Sequence, residues 1–294
     1  MRVCLMIEGQ EGVSWEQWVA LADACEESGL EGLFRSDHYL SVFGQGERGS
    51  LDAWATICAL AAVTKRIRLG TLVSPVTFRR VSVLAKVVAT ADHVSGGRVE
   101  LGLGAGWNER EHEVYGFPFP DLGERMRLLE QQLADVTRQW AELSPAPVQQ
   151  PRPPLIVGGT GGPRSCRLAA RFADEYNTVF ATVEECVERR ELVAAACRSL
   201  GRAPILFSLM TGCIVGRDRA ELGERARSVA VRTGLESDDL LGGDRSIPGT
   251  VEEVVARLRE YEQAGVERVF LQHLDHADVE MVRLIGAEVV PAVA

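Results

Sequence analysis

Apolar positions along this chain follow two alternating periods. Short β-branched and aliphatic runs predict strands at Arg2–Glu8, Gly32–Ser36, Ile67–Val73 and Arg98–Leu103. Further runs follow at Leu155–Val157, Tyr176–Val179, Ile205–Val215 and Val266–Leu271. Between them the spacing changes to that of helices with one apolar face. The first is Ser14–Ser28, with Ser14 as N-cap and Gly29 as the stop. Others are predicted over Leu51–Thr64, Val81–Val94, Arg164–Phe172, Val183–Leu200, Ala220–Thr233 and Val251–Ala264. In Glu124–Leu143 the apolar stripe is Met126, Leu129, Leu133 and Val136. The proline-rich stretch Pro145–Pro154 is a connector, because the alternation resumes at once. Glu236–Ile247, polar and glycine-rich, reads as an exposed loop.

Strands that alternate with helices are parallel, because parallel neighbours need a crossover. Eight such units fit a closed (β/α)8 TIM barrel of the α/β class, as one domain over residues 1–294. Periodicity alone leaves an open doubly wound sheet as the alternative. The net charge of -10 argues against an electrostatic grip on nucleic acid or anionic lipid. The apolar run Val3–Ile7 is cut by Glu8 and is too short for a signal peptide. No stretch approaches the ~20 apolar residues of a membrane span. Seven scattered cysteines with no C-x-x-C pair suit a reducing compartment, so a cytoplasmic protein is expected.

In a closed barrel the chemistry collects where strands end. After the second strand stand Asp37 and His38, adjacent titratable groups suited to proton transfer or to orienting a ring. The plainer reading is a capping aspartate beside a satisfied histidine. After the third strand, Thr71 and Ser74 are candidates to line the mouth, in what is otherwise an ordinary Pro turn. After the fourth, Gly102, Gly104, Ala105 and Gly106 precede Trp107 and let a flat ligand approach the backbone. The dinucleotide fingerprint is a poor match, since Trp107 occupies the third glycine's place. After the fifth, Gly158-Gly159-Thr160-Gly161-Gly162 runs into a helix with Arg164 and Ser165, a phosphate cradle by mechanism and without a Walker lysine. After the eighth, His273 and His276 flank Asp275. With no third ligand cluster no metal is expected, and polar residues of the mouth or of a solvated loop are preferred. The acidic run Glu109, Glu111 and Glu113 around His112 reads as a solvated helix face.

Taken together, these stretches resemble the luciferase-like monooxygenase superfamily, and within it the coenzyme F420-dependent oxidoreductases. The resemblance covers nearly the whole chain. It is most specific over Arg66–Arg79, Leu84–Lys86, Asp92–Arg98 and Gly102–Asn108, with Ser36–His38, Gly123–Arg125 and Gly158–Gly159 in the same pattern. It implies a bacterial-luciferase-like barrel with a flavin or deazaflavin ring over the strand ends. It implies that Asp37 and His38 face the ring side of the pocket, with His38 or Asp37 as proton donor. Leu72, Val73 and Ser74 then lie at the bulge where relatives carry a non-prolyl cis peptide. Ala105, Gly106 and Trp107 match the ring-contacting turn. Gly158, Gly159 and Thr160 match the phosphate turn, with Arg164 and Ser165 added. Sugar-phosphate dehydrogenases of the family carry a glutamate where Trp107 stands, so a less polar substrate is implied. The leading expectation is hydride transfer between F420 and a small organic molecule. The alternatives are an FMN-dependent monooxygenase served by a separate reductase, and a barrel that binds flavin without turnover. A homodimer is the family's usual state. The loops expected to shape the substrate site are Gly9–Gly12, Leu40–Gly49 and Glu236–Ile247.

Overall fold

The structure, a computed structural model, describes residues 1–43 and 48–294. The strands are β1 (Arg2–Ile7), β2 (Gly32–Arg35), β3 (Arg68–Thr71), β4 (Ser74–Pro75) and β5 (Val99–Gly104). They continue as β6 (Leu155–Gly158), β7 (Glu175–Val179), β8 (Leu206–Gly216), β9 (Ser246–Thr250) and β10 (Arg268–Gln272). Eight of them close a ring in the order β1, β2, β3, β5, β6, β7, β8, β10, every pair parallel. The alternation of strand and helix thus resolves to the closed barrel rather than the open sheet. No helix among the described residues is long and apolar enough to cross a membrane. All seven cysteines are free thiols.

Two short strands lie outside the expected eight. β4 adds to the upper end of β5 at Leu103 and Gly104. β9 pairs with the outer half of β8, Gly212–Gly216, after the inner half has paired with β10. Glu236–Ile247 is therefore not wholly a loop: a short helix covers Ser237–Leu241, and Ile247 is buried in β9. Pro248 and Gly249 hid this strand in the sequence. Proline is tolerated there because β9 is an edge strand. The long β8 thus runs on past its barrel pairings and carries β9 along its outer half.

Inside the barrel, alternate residues of each strand point to the axis. An apolar layer of Cys4, Met6, Phe34, Leu72, Ile156, Met210 and Phe270 fills the middle and top. Beneath it lies Arg268, 1 % exposed, packed over the rings of Phe34 and Phe270 at 4.9 and 4.8 Å. Its guanidinium donates to Glu100 at 2.8 Å and to Glu175 at 3.0 Å, and Arg68 pairs with the other side of Glu100. Burial works against the Glu100 charge, yet Arg268 and Arg68 hold its carboxyl below the ordinary value. Burial and the nearby Glu100 push the Glu175 carboxyl up, against the pull of Arg268.

One cation thus serves two buried carboxylates, and removing it leaves Glu175 without its charge partner and Glu100 with Arg68 alone. Arg268→Met is expected to cost roughly 3–5 kcal/mol in chemical denaturation. A loss below about 1 kcal/mol, the size of an ordinary substitution, would mean that the network does not hold the barrel floor.

Candidate active site

The wall above β2 is built on a buried arginine. Arg35 donates to Ser36 O, Thr56 Oγ1 and Leu51 O at 2.9 to 3.0 Å, and so fixes the turn that follows. Asp37 comes next and is 1 % exposed. Its Oδ2 accepts from Ser74 Oγ at 2.6 Å and from Arg79 at 2.5 Å. Arg79 also donates to Asp52 and to the Tyr39 hydroxyl. Burial opposes its charge, but Asp37 and Asp52 raise it above arginine's ordinary value. Asp37 is therefore the inner half of an ion pair.

His38 faces differently. Its Nδ1 meets Glu111 Oε2 at 2.8 Å, and its side chain keeps 13 % of its surface open. Nε2 has no protein partner among the described residues. Burial alone would lower the imidazole pKa, but the hydrogen bond and charge of Glu111 outweigh it, and the net shift is upward. Trp107, 64 % exposed, meets the His38 ring edge-on at 5.4 Å.

Glu111 corrects the reading of the acidic run as a solvated face. Glu109 and Glu113 are exposed, but Glu111 and His112 are buried in the helix Glu109–Tyr115. Glu111 Oε1 accepts from the amides of Tyr39 and Leu40. His112 meets Thr77 Oγ1 at 2.6 Å through Nε2 and Asn108 O at 2.7 Å through Nδ1. No apolar stripe marks the inward face of this two-turn helix, because its buried side chains are satisfied by polar partners.

The floor of the mouth is apolar. The Leu72–Val73 peptide is cis. Leu72 joins Met6, Ile156 and Met210 in the upper core layer, and Val73 packs against it. Side chains are missing where Val73 projects: a Cβ on Gly104 would lie 2.6 Å from Val73 Cγ2. The hydroxyls of Thr71 and Ser74 do not line the mouth. Thr71 is bound to Gly102 O, while Ser74 donates to Asp37 and accepts from Trp54 Nε1.

The Gly158–Gly162 turn is held from below by Tyr176, whose hydroxyl accepts from Gly161 N at 2.8 Å and contacts Ser165 Oγ at 3.0 Å. A Cβ on Gly159 would lie 2.4 Å from that hydroxyl, so only glycine fits. The helix Pro163–Phe172 starts at Gly162 with no side-chain cap. Its first-turn amides are left for an anion, with Thr160 exposed alongside. Arg164 donates to Gly123 O at 3.1 Å. The turn therefore fits a phosphate.

A further buried residue escaped the sequence reading. Glu8, at the end of β1, accepts from Gln272 Nε2 at 2.6 Å and from Gln10 Nε2 at 2.9 Å, and all three are buried. Its position directly after an apolar strand was the available signal. The solvated reading of the segment after β10 is also corrected. His273 and His276 are 1 % and 0 % exposed, their rings 6.5 Å apart, and none of their ring nitrogens has a hydrogen-bond partner among the described residues. No group of three or more metal-ligating side chains occurs among the described residues. Burial lowers His273 to about 4, against the charges of Asp278 and Asp275. Burial, then His273, Arg232 and Arg48, lowers His276 to about 2.

A family model described as luciferase-like monooxygenase matches residues 2–238. The chain belongs to that family. It is 33 % identical over 174 residues to the F420-dependent glucose-6-phosphate dehydrogenase of Amycolatopsis mediterranei, covering 54 % of this chain and 51 % of that protein. It is 25 % identical over 235 residues to the FMNH(2)-dependent dimethylsulfone monooxygenase of Pseudomonas putida, covering 74 % of this chain and 62 % of that protein. The chain thus spans about half to three-fifths of the length of these curated relatives. Its fold matches the coenzyme F420 dependent tetrahydromethanopterin reductase of Methanopyrus kandleri over 100 % of both chains, with a TM-score of 0.80 at 18 % identity.

Glu111→Gln removes the charge that raises His38. The His38 pKa, followed by NMR of labelled histidine, should fall; an unchanged value would contradict the pairing. A second outcome concerns the neutral pair. The unfolded chain binds protons at His273 and His276 below their ordinary 6.5, whereas the fold refuses them until far lower pH. Stability should therefore fall from pH 6.5 towards 4, by on the order of 3 kcal/mol per histidine. His276→Leu should flatten that slope in a melting series, and an unaltered slope would show that the acid sensitivity lies elsewhere.

Proposed function

We propose that this protein is an oxidoreductase that moves a hydride between coenzyme F420 and a small organic alcohol or its carbonyl partner. The observation that carries this reading is the His38–Glu111 dyad beside the glycine-lined mouth. Reducing a carbonyl takes one hydride and one proton, and a histidine whose pKa is raised by a buried carboxylate is suited to hold that proton. Similarity to F420-dependent relatives, including the hydroxymycolic acid dehydrogenase of Mycobacterium tuberculosis at 27 % identity over 232 residues, supports the choice of cofactor.

When bound, the cofactor supplies or accepts the hydride. The chain's own residues do the rest. Val73 backs the ring position, and Ala105, Gly106 and Trp107 form the side wall. Gly158, Gly159 and Thr160, with the helix start at Arg164 and Ser165, hold the phosphate. Leu72 and Ser74 support this wall from within. Asp37 is a positioning residue: paired with Arg79, it anchors the turn that carries His38. His38 gives its Nε2 proton to the substrate oxygen in reduction and takes it back in oxidation. Glu111 orients the imidazole through Nδ1 and favours its protonated form. The FMN reading, with a separate reductase, draws on the dimethylsulfone monooxygenase likeness. A homodimer is the proposed assembly.

Spectral titration of the purified protein with F420 and with FMN tests the cofactor. F420 binding is expected, and tight binding of FMN alone would overturn the reading. In the same preparation His38→Asn should lower kcat about 100-fold or more while leaving F420 affinity within a few-fold. Because the His38 pKa is raised, carbonyl reduction should decline as pH rises through that value, and alcohol oxidation should gain. A flat profile in both directions would remove His38 from the proton step.

A further inference from the structure

β8 lies directly across the ring from β3, and so from Val73. There, where the outer half of β8 pairs with β9, a cavity of about 200 Å3 opens beneath the helix Ser237–Leu241. Its walls include Phe43, Phe180, Ile214, Leu240 and Leu274, and among the described residues no lysine, arginine or histidine lines it. Asp239, which is exposed, is the charged lining side chain among them. Gln272 joins the cavity to the mouth. Its Nε2 is spent on Glu8 inside the barrel, while its Oε1, with no partner among the described residues, lies near Gly212 on the cavity wall. Part of the expected Leu40–Gly49 shaping loop, residues 44–47, lies outside the described residues. Phe43 from that loop, and Asp239, Leu240 and Ser246 from Glu236–Ile247, do line the cavity.

We propose that this cavity holds the apolar portion of the substrate, and that the substrate is an uncharged alcohol or ketone carrying an aliphatic chain or ring. The proposal rests on the oxidoreductase reading for the reacting end of the molecule. A phosphorylated or carboxylate substrate would bring its charge to a wall with no cation, beside Asp239, and would lose solvation without recompense. An apolar cavity of ~150 Å3 accepts a benzene-sized guest, so this one takes about six to eight carbons. Gln272 Oε1 is the acceptor for a hydroxyl on that chain. In oxidation the alcohol gives its carbinol hydrogen with two electrons to the cofactor and its hydroxyl proton to His38. The C=O double bond forms as the C–H and O–H bonds break.

Isothermal titration of the full chain with 2-alkanols from propanol to decanol tests this, with and without F420, using glucose 6-phosphate as the charged comparator. Affinity should rise about fourfold per methylene and level off at about six to eight carbons. Glucose 6-phosphate should not bind. Two variants report on the cavity. A Cβ on Gly212 meets Ser246 Cβ at 3.5 Å and Gln272 Oε1 at 3.8 Å, ordinary contacts, so Gly212→Phe fills the space from a strand position that accepts a side chain. Leu240→Asp makes the wall polar from the half-exposed helix, at a partly buried position on the edge of the core. Both should abolish the chain-length dependence and leave F420 affinity unchanged. Binding that ignores chain length, or a gradient that survives in both variants, overturns the cavity assignment while F420 binding upholds the oxidoreductase reading. A gradient without any F420 binding overturns that reading and leaves an apolar-ligand site.

Discussion

A carboxylate removed from water must find donors elsewhere, and Glu111 finds three: the imidazole of His38 and the amides of Tyr39 and Leu40. All three belong to the turn after β2, whereas Glu111 belongs to the helix after β5. One buried charge therefore ties the segments that follow two strands, through residues 73 apart in the chain. Loss of the carboxylate would leave two buried amides unpaired as well as freeing the histidine. The mouth of the barrel keeps its shape because this group cannot be satisfied any other way.

The same logic repeats down the barrel axis. At the floor, Arg268 balances Glu100 and Glu175. At the top, Glu8 is met by Gln272 and Gln10, and Asp37 by Arg79. Between these polar levels lies the apolar layer of Met6, Leu72, Ile156 and Met210. Each of these carboxylates has at least one buried partner, which ties the strand ends together, while Asp37 Oδ1 and Glu175 Oε1 are left without one among the described residues. His273 and His276 go further: neither ring has a hydrogen-bond partner among the described residues.

The eight barrel strands were legible because buried parallel strands read as apolar runs. β9 was not, since Pro248 and Gly249 break the run and it pairs only with the outer half of β8. Asp37, His38, Val73 and the Gly158–Ser165 turn were singled out as candidates through their place after strands and through family likeness. Glu111 and Arg79 were not, because what defines them is a partner remote in sequence: Arg79 meets Asp37 across 42 residues. An E-R-E-H-E segment looks solvated unless the turn it clasps is already in view. Glu8 did carry a local signal, a charge directly after a buried strand.

On the proposed reading the mouth divides between a cofactor side, around Val73, Trp107 and Gly159, and an apolar side beneath Leu240, with His38 paired to Glu111. A crystal structure with F420 bound is the most direct measurement of that account. It should place the ring against Val73 and Trp107, the phosphate at the helix start near Arg164 and Ser165, and His38 still paired with Glu111. A ring seated away from Val73, or a His38 turned out of the mouth and released from Glu111, would contradict it.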